Sequence, residues 1–453
     1  MQILIVGCGK VGYTLVDRLS HEGHDITVID KDEAALELAK AELDAMCIEG
    51  DGLNTDVLSA AGASRMDMII AVTGSDEQNL LCCLIAKKGG RAHTVARVRN
   101  PIYSKQAGFL KKEFGIAMVV NPELETAIEM SRVFQFPSAL KIDTFANAGV
   151  ELLQFKIPAD SKLNEEKVCN IRNKFNSNVL IAAVFRDDYV IIPNGDLILR
   201  ANDKVSLVGR RADFSDFLNN IGMSSTRIHS VMIAGGGKIS YYLAQSLLRA
   251  KKDVTIIERD VKRCEELNDL LPEATVINGD ATDQRLLDEE GVEGVQGFAA
   301  LTGLDEENIL LSLYVKGISK AKIITKINRI NFTNVINNLN MDCVVNPRVI
   351  MADRIAKYIR SFNNSENSNV ESLYKLEDGK AEALEFKITE MSEITGVPLK
   401  DMKLKKNTLI CCIVRDGKII IPGGNDTILV NDSVIVIIAD YMISDIKDIL
   451  RDN

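Results

Sequence analysis

The sequence predicts an α/β protein with two doubly wound parallel-sheet domains, each followed by a small α+β domain. Short apolar runs alternate with amphipathic stretches, as in such sheets. Glycine turns follow two of these runs, and most of these features occur twice along the 453 residues. At 46% hydrophobic residues the chain is globular, and it is too long for a single core.

The first strand and its turn are encoded in ILIVGCGKVG, residues 3–12. Residues 3–6 form a short aliphatic run, as expected of a parallel strand buried on both faces. Gly7 permits a tight turn, Gly9 lets the backbone approach a pyrophosphate, and Gly12 allows close packing of the next helix. Because a helix N-terminus attracts anions, the stretch predicts a Rossmann-type nucleotide turn.

The second apolar run, DITVID, ends on Asp30, which lies 18 positions after Gly12. An acid at this place accepts hydrogen bonds from the ribose hydroxyls and repels a 2′-phosphate, so NADP is disfavoured. The alternative is a degenerate Rossmann domain that keeps the turn for packing alone.

Further predicted strands end at polar residues. Asp51 follows the third run, in GDG, and is expected to face the adenine side of the site. Thr73 and Gly74 end MIIAVTG, and Arg97 ends HTVAR. Because the carboxyl ends of parallel strands share one edge of a sheet, we expect these residues near the same crevice, with Arg97 able to bind phosphate. A surface ion pair is the alternative role for Arg97.

An internal repeat divides the chain into two halves. ILIVGCGKVG returns as VMIAGGGKIS, which places Gly235 228 positions after Gly7. AVTGSDEQNLL at 71 returns as ALTGLDEENIL at 300, and Asp30 corresponds to Glu258. The small modules repeat as well, with RDD and RDG expected in hairpin turns. The polar stretch 361–372 has the composition of a linker.

Four domains follow from this pattern. The two Rossmann domains are expected over residues 1–137 and 228–361, and the two small domains over residues 140–222 and 372–453.

Composition excludes several classes of protein. The net charge of −10 argues against nucleic acid as the main partner. No apolar run approaches the length of a transmembrane helix, and a strand begins directly at the N-terminus, so we expect a soluble cytoplasmic protein. The nine cysteines form no C-x-x-C pair and are expected to be free thiols. HEGH at 21–24 lacks the spacing of a zinc site.

The order of these motifs resembles the family of domains that regulate potassium conductance, called RCK or KTN domains. The motifs are the glycine turn, the acid, GDG, TGSDEQN and ARVRNP, followed by a β-rich module. Duplication of the pair in one chain is similar to the regulatory subunits of Trk potassium-uptake systems. The resemblance covers essentially the whole chain.

This resemblance implies a function. It predicts a subunit that binds NAD or NADH, or ATP or ADP at the same sites, and gates a membrane-embedded potassium translocator. It also implies a homo-oligomeric ring, with a tetramer expected, that lies peripherally on the cytosolic face of the membrane.

The predicted ligand contacts of the first repeat combine the glycine turn with the strand ends: Gly7, Cys8, Gly9, Lys10, Val11, Gly12, Asp30, Lys31, Asp51, Thr73, Gly74 and Arg97. Those of the second repeat are Gly235, Gly236, Gly237, Lys238, Ile239, Glu258, Asp280 and Thr302. The second repeat departs from the pattern at Ser240, in place of Gly12, and at Lys326, in place of Arg97. Serine adds a Cβ that we expect to shift the loop, and lysine loses bidentate geometry.

Three classes of function compete. A dehydrogenase needs a substrate domain with a proton donor, and only a small β-rich module follows each Rossmann domain. A scaffold with vestigial sites does not explain two glycine turns that are each paired with an acid. A non-enzymatic sensor explains both features, and an NAD-dependent oxidoreductase with an unrecognised catalytic site remains the alternative.

The helix after each VVNP motif carries an apolar stripe: Ala127, Met130, Val133 and Phe134 in the first repeat, and Ile350, Ile355, Tyr358 and Ile359 in the second. The stripe fits a protomer junction or the helix's own sheet equally well, and the RCK resemblance favours the junction.

Overall fold

The computed structural model describes residues 1–135, 139–145, 149–187, 189–223, 228–329, 339, 341–367, 370–376, 380–441, 443 and 445–451. They form two compact units, each assembled from both halves of the chain. One unit combines Met1–Ser131 with Ile228–Ala356, and the other combines Arg132–Arg227 with Lys357–Asn453. The two Rossmann domains therefore belong to one unit and the two small domains to the other. The domain limits given above remain predictions.

The first Rossmann domain has a six-stranded parallel sheet in the order β3-β2-β1-β4-β5-β6. Its strands are β1 Gln2–Val6, β2 Asp25–Asp30, β3 Met46–Glu49, β4 Met68–Ala71, β5 His93–Arg97 and β6 Met118–Val120. Its helices are α1 Lys10–Ser20, α2 Glu33–Glu42, α3 Thr55–Ala60, α4 Asp76–Gly89, α5 Pro101–Lys105, α6 Ala107–Phe114 and α7 Pro122–Gln135. This order is doubly wound, as predicted.

Local sequence explains why these elements form. All of β1 after its first residue is at most 2% exposed, because helices cover both faces of a parallel sheet. Several helices are capped at their N-terminus by a side chain whose oxygen accepts a hydrogen bond from a backbone N–H of the first turn. Asp32 caps α2 through Ala34 N at 3.0 Å, and Asn100 caps α5 through Ile102 N at 3.0 Å.

The second Rossmann domain repeats this topology, with the order β14-β13-β12-β15-β16-β17. Its strands are β12 Ser230–Ala234, β13 Asp253–Glu258, β14 Thr275–Asn278, β15 Gly297–Ala300, β16 Lys322–Lys326 and β17 Val344–Val345. Its helices are α10 Lys238–Arg249, α11 Val261–Leu270, α12 Gln284–Glu289, α13 Asp305–Ile318 and α14 Pro347–Asn367. The two parallel sheets are separate, as the internal repeat predicted.

Each small domain holds a five-stranded antiparallel sheet. The first contains β7 Ala139–Phe145, β8 Val150–Lys156, β9 Leu180–Arg186, β10 Tyr189–Ile191 and β11 Lys204–Gly209, with helices α8 Val168–Lys174 and α9 Arg211–Asn220. The second contains β18 Val370–Leu376, β19 Ala381–Lys387, β20 Thr408–Arg415, β21 Lys418–Ile420 and β22 Ser433–Ala439, with 3-10 helices at Leu399–Asp401 and Ile446–Ile449.

Hairpins join β9 to β10 and β20 to β21, as predicted from RDD and RDG. In the second hairpin, Asp416 and Gly417 have φ values of 49° and 73°, which a tight turn between twisted strands requires. In the first, Asp187 has a φ of 47°, and position 188 lies outside the described residues.

The predicted linker at 361–372 was wrong. Helix α14 continues through Asn367, and β18 begins at Val370. Asn and Ser are common in linkers, but the segment 348–367 contains neither glycine nor proline. Nothing in it interrupts the hydrogen-bond ladder, so the helix propagates through polar residues.

The two small sheets share one hydrophobic cluster. Phe145 and Ala183 of the first domain pack in it with Tyr374, Cys411 and Ile437 of the second. The rings of Phe145 and Tyr374 meet edge to face, with centroids 4.8 Å apart. Burial raises the pKa of the Cys411 thiol, as expected of a structural rather than a reactive cysteine.

A buried ion pair occurs at equivalent places in both small domains. Arg186 donates from Nε and Nη2 to the Asp203 carboxylate at 2.8 and 2.7 Å, and Arg415 does the same with Asp432 at 2.9 and 2.8 Å. Asp203 is 2% exposed and also accepts from Arg200 N at 2.8 Å. The paired arginine and this backbone bond compensate its desolvation.

Glu385 of β19 is fully buried in the second small sheet, between β18 and β22. Ser372 and Ser433 donate to its two carboxylate oxygens, each at 2.9 Å. Burial raises the pKa of Glu385 above its ordinary value, although these two hydrogen bonds oppose the shift. The first small domain has the uncharged Gln154 at the equivalent position.

Candidate functional site

A cavity of about 560 Å³ opens at the carboxyl ends of the first parallel sheet. Open α/β sheets bind ligands at this edge, where the strand order reverses on either side of the first strand. The predicted residues that line it are Gly7, Gly9, Lys10, Val11, Asp30, Lys31, Asp51, Thr73, Gly74 and Arg97. Cys8 and Gly12 are not among the lining residues, so the structure gives these two another role.

The glycine turn owes its shape to close backbone contacts. Gly7 has a φ of 105°, and a Cβ there would lie 2.9 Å from Thr73 N. A Cβ on Gly12 would lie 1.8 Å from the Gly7 carbonyl oxygen. Both positions therefore need glycine for packing. A Cβ on Gly9, by contrast, would meet no protein atom within 4 Å, which leaves room for a ligand.

The N-terminus of α1 faces this cavity. Gly9 is its N-cap and has no side chain to accept a hydrogen bond from the first turn. Lys10 and Val11, the first helical residues, line the cavity with Gly9. Free N–H groups and the helix dipole make this end suited to an anion.

Asp30 lies at the predicted ribose position and also supports the turn. Its Oδ2 accepts a hydrogen bond from Cys8 N, and its Oδ1 accepts one from Asp32 N at 2.9 Å. Each carboxylate oxygen retains a second acceptor site for a ribose hydroxyl. Cys8 thus contributes its backbone to the turn, while its thiol is buried.

Lys31 and Asp51, which follow β2 and β3, form an ion pair of 2.9 Å in the cavity lining. The backbone N–H of Leu53, together with Lys31, holds the pKa of Asp51 below its usual value. Asp51 is therefore a carboxylate at neutral pH and can accept a hydrogen bond from a ligand.

A buried asparagine holds the ends of β4 and β5 together, and the sequence analysis missed it. Asn79 is fully buried, accepts from Thr73 N at 2.7 Å and donates to the Arg97 carbonyl oxygen at 3.0 Å. Asn308 makes the same bonds to Thr302 and Lys326 in the second repeat. The asparagine is the last residue of both repeated motifs, TGSDEQN and TGLDEEN, so its recurrence was visible in the sequence.

Arg97 is half-buried at the end of β5. Its Nη2 donates to the Thr73 carbonyl oxygen at 2.5 Å, and its Nε is buried without a hydrogen-bond partner in the described part of the chain. Burial lowers the pKa of Arg97, with Arg99 nearby adding to the effect. The guanidinium is thus only partly satisfied by protein atoms, and no ion pair fixes it within the described ranges.

Arg99 and Glu123 also line the cavity and were not predicted. Arg99 Nε donates to Glu123 Oε1 at 2.6 Å. Glu123 is 8% exposed, and within the described residues its Oε2 has no partner. Arg99 lies in the quoted motif ARVRNP and Glu123 directly follows VVNP, but nothing local showed that the two would meet.

The cavity is positively charged although the chain is acidic. Five cationic side chains line it, namely Lys10, Lys31, Arg97, Arg99 and Arg348. Three carboxylates line it, namely Asp30, Asp51 and Glu123. This excess of positive charge favours an anionic ligand.

The second repeat forms part of the wall of this cavity, to which it contributes Asn328, Pro347 and Arg348. Other contacts between the two Rossmann domains lie nearby. Asn121 Nδ2 donates to Tyr242 Oη at 3.0 Å, and Arg18 pairs with Asp353 at 3.0 Å. The first site is therefore built by both repeats.

The helices after VVNP take part in this contact between the repeats. In α7, Ser131 Oγ lies 2.8 Å from Ser246 Oγ of the second repeat, and Glu125 pairs with Arg354 of α14 at 3.5 Å. The stripe residues Ala127, Met130, Val133, Phe134, Ile355 and Ile359 are buried, and Ile350 and Tyr358 are half-buried. The helices thus lie at a junction within one chain, and the junction between protomers remains a prediction.

The second glycine turn has the same backbone form. Gly235 has a φ of 98°, and Gly237 caps α10, which begins at Lys238 and Ile239. Glu258 accepts from Gly236 N at 2.6 Å and from Asp260 N at 2.8 Å, as Asp30 does in the first repeat. The predicted acid therefore supports its turn in both repeats.

Side chains differ around this second turn. Arg263 replaces Ala35 and donates from Nε to the Gly236 carbonyl oxygen at 2.8 Å. The backbone N–H of Thr282, and then its hydroxyl, lower the pKa of Asp280, where Asp51 has the backbone N–H of Leu53 and the Lys31 ammonium. Thr302 Oγ1 donates to the Leu304 carbonyl oxygen at 3.2 Å.

Of the two substitutions in the second repeat, Ser240 is buried and Lys326 is half-buried. Ser240 is fully buried, and its hydroxyl has no partner within the described ranges. Lys326 Nζ donates to the Leu301 carbonyl oxygen at 3.3 Å, and burial lowers the pKa of Lys326. Arg97 bonds the Thr73 carbonyl oxygen, whereas Lys326 bonds the carbonyl one residue before Thr302, the counterpart of Thr73, and it has an ammonium in place of a guanidinium fork.

Two exclusions hold for the described residues only. No group of three or more His, Cys, Asp or Glu side chains among them is arranged to hold a metal ion. None of the helices within those ranges combines the length and apolar character that a membrane span needs.

Both domain types, the Rossmann domains and the small domains, match models of known families. The TrkA-N domain matches residues 3–122 and 231–347, and the TrkA-C domain matches residues 152–222 and 383–451. These matches alternate along the chain in the order of the internal repeat.

Relatives match over the full length. The chain is 32% identical over 459 aligned positions to Trk system potassium uptake protein TrkA homolog 2 of Methanosarcina mazei, covering 100% of both chains. It is 30% identical over 446 positions to Trk system potassium uptake protein TrkA of Halomonas elongata, covering 97% of this chain and 96% of that protein.

Solved structures share the fold. The GsuK channel bound to NAD matches with a TM-score of 0.64 and 18% identity, covering 97% of this chain and 76% of that one. The GsuK RCK domain matches with a TM-score of 0.64 and 19% identity, covering 96% and 92%. With both domain types matched in tandem and relatives above 30% identity over their full length, the chain belongs to the TrkA family of Trk system potassium uptake proteins.

Proposed function

We propose that the chain is the nucleotide-binding regulatory subunit of a membrane potassium-uptake system. The observation that carries this proposal is the positively charged cavity at the first glycine turn, where the N-terminus of α1 and Asp30 lie together. The names of the relatives, which are potassium uptake proteins, support the physiological role.

The ligand that we propose is an adenine nucleotide, either NAD or NADH, or ADP or ATP. Asp51 and Asp30 would contact the adenosine half, and the lining residues Gly7, Gly9, Lys10 and Val11 would contact the phosphates. A 2′-phosphate would lie against the Asp30 carboxylate, so NADP binds more weakly than NAD. Structures of the GsuK channel bound to NAD and bound to ADP support this ligand class.

The remaining predicted contacts belong to the same proposal. Lys31, Thr73, Gly74 and Arg97 would complete the first site, while Cys8 and Gly12 shape its turn. In the second repeat, Gly235, Gly236, Gly237, Lys238, Ile239, Glu258, Asp280 and Thr302 would form the corresponding site.

We further propose that the protein works as a cytoplasmic homo-oligomeric ring on the membrane translocator, without turnover of the nucleotide. A ligand can shift such an assembly only by binding two of its shapes with different affinity. The contacts of the first cavity with both repeats support such a coupling, because a ligand there touches two domains at once.

Two experiments test the proposal. Equilibrium titration of the full chain with NAD, NADH, NADP, ATP and ADP should show binding of adenine nucleotides and the weakest affinity for NADP. Potassium flux through the reconstituted translocator should depend on this subunit and on nucleotide. Flux that is indifferent to both would refute the regulatory role, and light scattering of a monomer would refute the ring.

A further inference from the structure

Basic side chains are concentrated in one part of this acidic chain. Between Gln78 and Pro122 the sequence contains eight Lys and Arg residues and a single acid, Glu113, whereas the whole chain carries a net charge of −10. Two of the eight, Arg97 and Arg99, line the nucleotide cavity. Five of the others lie in or just after the last turns of α4 and α6, and we call them the basic edge: Lys87, Lys88, Arg91, Lys111 and Lys112.

Helices α4 and α6 bring the basic edge together. Both pack on the same face of the first parallel sheet, where Ala86 of α4 and Leu110 of α6 belong to one buried cluster. Each helix leads back to the start of the next strand, so both end at the amino edge of the sheet. The Lys87 side chain reaches the end of α6, since a Cβ on Gly115 would lie 3.7 Å from Lys87 Cε. The basic edge is therefore at the opposite edge of the sheet from the nucleotide cavity.

The protein itself does not neutralise these charges. All five side chains of the basic edge are exposed, and none of them takes part in an ion pair with another described residue. Phe109, one turn before Lys112, is 58% exposed and adds an aromatic ring beside the charges. An aromatic ring next to exposed cations suits the boundary between water and lipid headgroups.

The fold does not require this much positive charge. A cation in the last turn stabilises a helix through its dipole, and one lysine per helix is enough for that role. Helix α13 of the second repeat has the same 14 residues as α4, but Gly317 replaces Lys88 there. The basic residue in its last turn, Lys316, pairs with Asp342 at 3.2 Å. The unpaired charge of the first repeat is thus not needed to form the helix, which favours a role in binding.

We propose that the basic edge docks on the anionic surface of a phospholipid bilayer. A second copy of this chain is a poor occupant, because two such surfaces would bring like charges together. Anionic headgroups supply many negative charges in one plane, and each Lys or Arg close to them strengthens binding by about fivefold. The inference rests on the proposed function only for the location beside a membrane. It adds a membrane contact that does not pass through the translocator and that leaves the nucleotide cavity open.

The test is flotation of the full chain with vesicles of phosphatidylcholine alone and with vesicles that contain an equal part of phosphatidylglycerol. We expect binding to the anionic vesicles only, weakened by added salt because salt screens exposed charges. Lys111→Gln combined with Lys112→Gln should lower the affinity at least about tenfold, since it removes two charges. Lys111→Arg combined with Lys112→Arg retains both charges and should retain the affinity.

Lys403→Gln combined with Lys406→Gln is the matched control. These two lysines of the second small domain are also exposed, and neither belongs to an ion pair within the described ranges. The control therefore removes the same charge from a different surface, and the affinity for anionic vesicles should stay unchanged. Thermal melting of each variant checks that the fold is retained.

Several results would overturn the inference. They are no binding to anionic vesicles, equal binding to both kinds of vesicle, unchanged affinity in the Lys111 and Lys112 glutamine variant, or an equal loss in the control. If that variant loses self-association in light scattering but keeps its vesicle affinity, the basic edge contacts a second copy, which also overturns the inference. The vesicles contain no translocator, so none of these results refutes the proposed function, which nucleotide titration and potassium flux test separately.

Discussion

Gly9→Ala should separate ligand binding from stability. Gly9 has an extended backbone with a φ of −62°, which alanine also adopts, and an added Cβ would meet no protein atom within 4 Å. Alanine is a poorer N-cap than glycine, but it also reduces the entropy of the unfolded chain. These effects are each about 0.5–1 kcal/mol and opposite in sign, so the thermal midpoint should change little.

Binding should respond more strongly, because Gly9 lines the cavity and its new methyl group would occupy the space next to the helix N-terminus. If the phosphate can no longer reach one backbone N–H group, about 1.5–3 kcal/mol of binding free energy is lost. Since 1.4 kcal/mol is a factor of ten, the affinity of the first site should fall by about tenfold to a hundredfold.

The assay is isothermal titration of the full chain with ADP, together with thermal melting of each variant. Gly108→Ala in α6 is the control, because its Cβ also meets nothing within 4 Å and it lies outside the cavity lining. Unchanged ADP affinity in Gly9→Ala, with an unchanged melting curve, would show that phosphate does not approach this turn.

Four further predictions follow from the structure. Asp30→Ala should lower adenine-nucleotide affinity at least about tenfold in titrations, since it removes a charge-assisted ribose contact; unchanged affinity in a cooperatively melting variant would exclude a ribose contact. Asp203→Ala should lower the free energy of unfolding in urea by about 3 kcal/mol, because it leaves Arg186 without its buried partner; a loss below about 1 kcal/mol would place this pair with exposed ion pairs. The raised pKa of Glu385 means that the folded state holds its proton more tightly than the unfolded state, so this group reduces stability as pH rises from about 4 through the folded pKa. Glu385→Gln should remove that loss, and its stability relative to wild type should increase as pH rises above about 4 in urea titrations; a constant difference would contradict the burial effect. Finally, NADH absorbance should stay constant with candidate metabolites, and steady enzyme-dependent oxidation would favour the oxidoreductase alternative.

Local pattern was enough to predict much of the fold. The doubly wound sheets, the two separate repeats and the hairpin at Asp416 and Gly417 were confirmed by the structure. These features depend on the period of hydrophobic residues and on backbone conformations that a few residue types favour, and both are visible within a short window. The linker predicted at 361–372 was wrong because it was inferred from local composition alone. Polar residues are common in linkers, but a helix continues through them unless glycine or proline interrupts it.

The site was predictable only in part. Glycine turns and strand ends located the residues that share one edge of the first sheet, because parallel strands bring their carboxyl ends together. The pairing of Arg99 with Glu123 was not visible, since it depends on how α7 approaches β5. The roles of Cys8 and Gly12 in shaping the turn also required distances between backbone atoms.

By itself, the sequence determined that there are two nucleotide-type turns, each with an acid at the following strand end. Only the tertiary structure decided that the second repeat completes the first site through Asn328, Pro347 and Arg348. The turns arise from neighbouring residues and their backbone requirements, which the sequence displays directly. Glu123 and Arg348 line the same cavity although they lie more than 200 positions apart, and their proximity depends on how two folded surfaces pack, which no local pattern encodes.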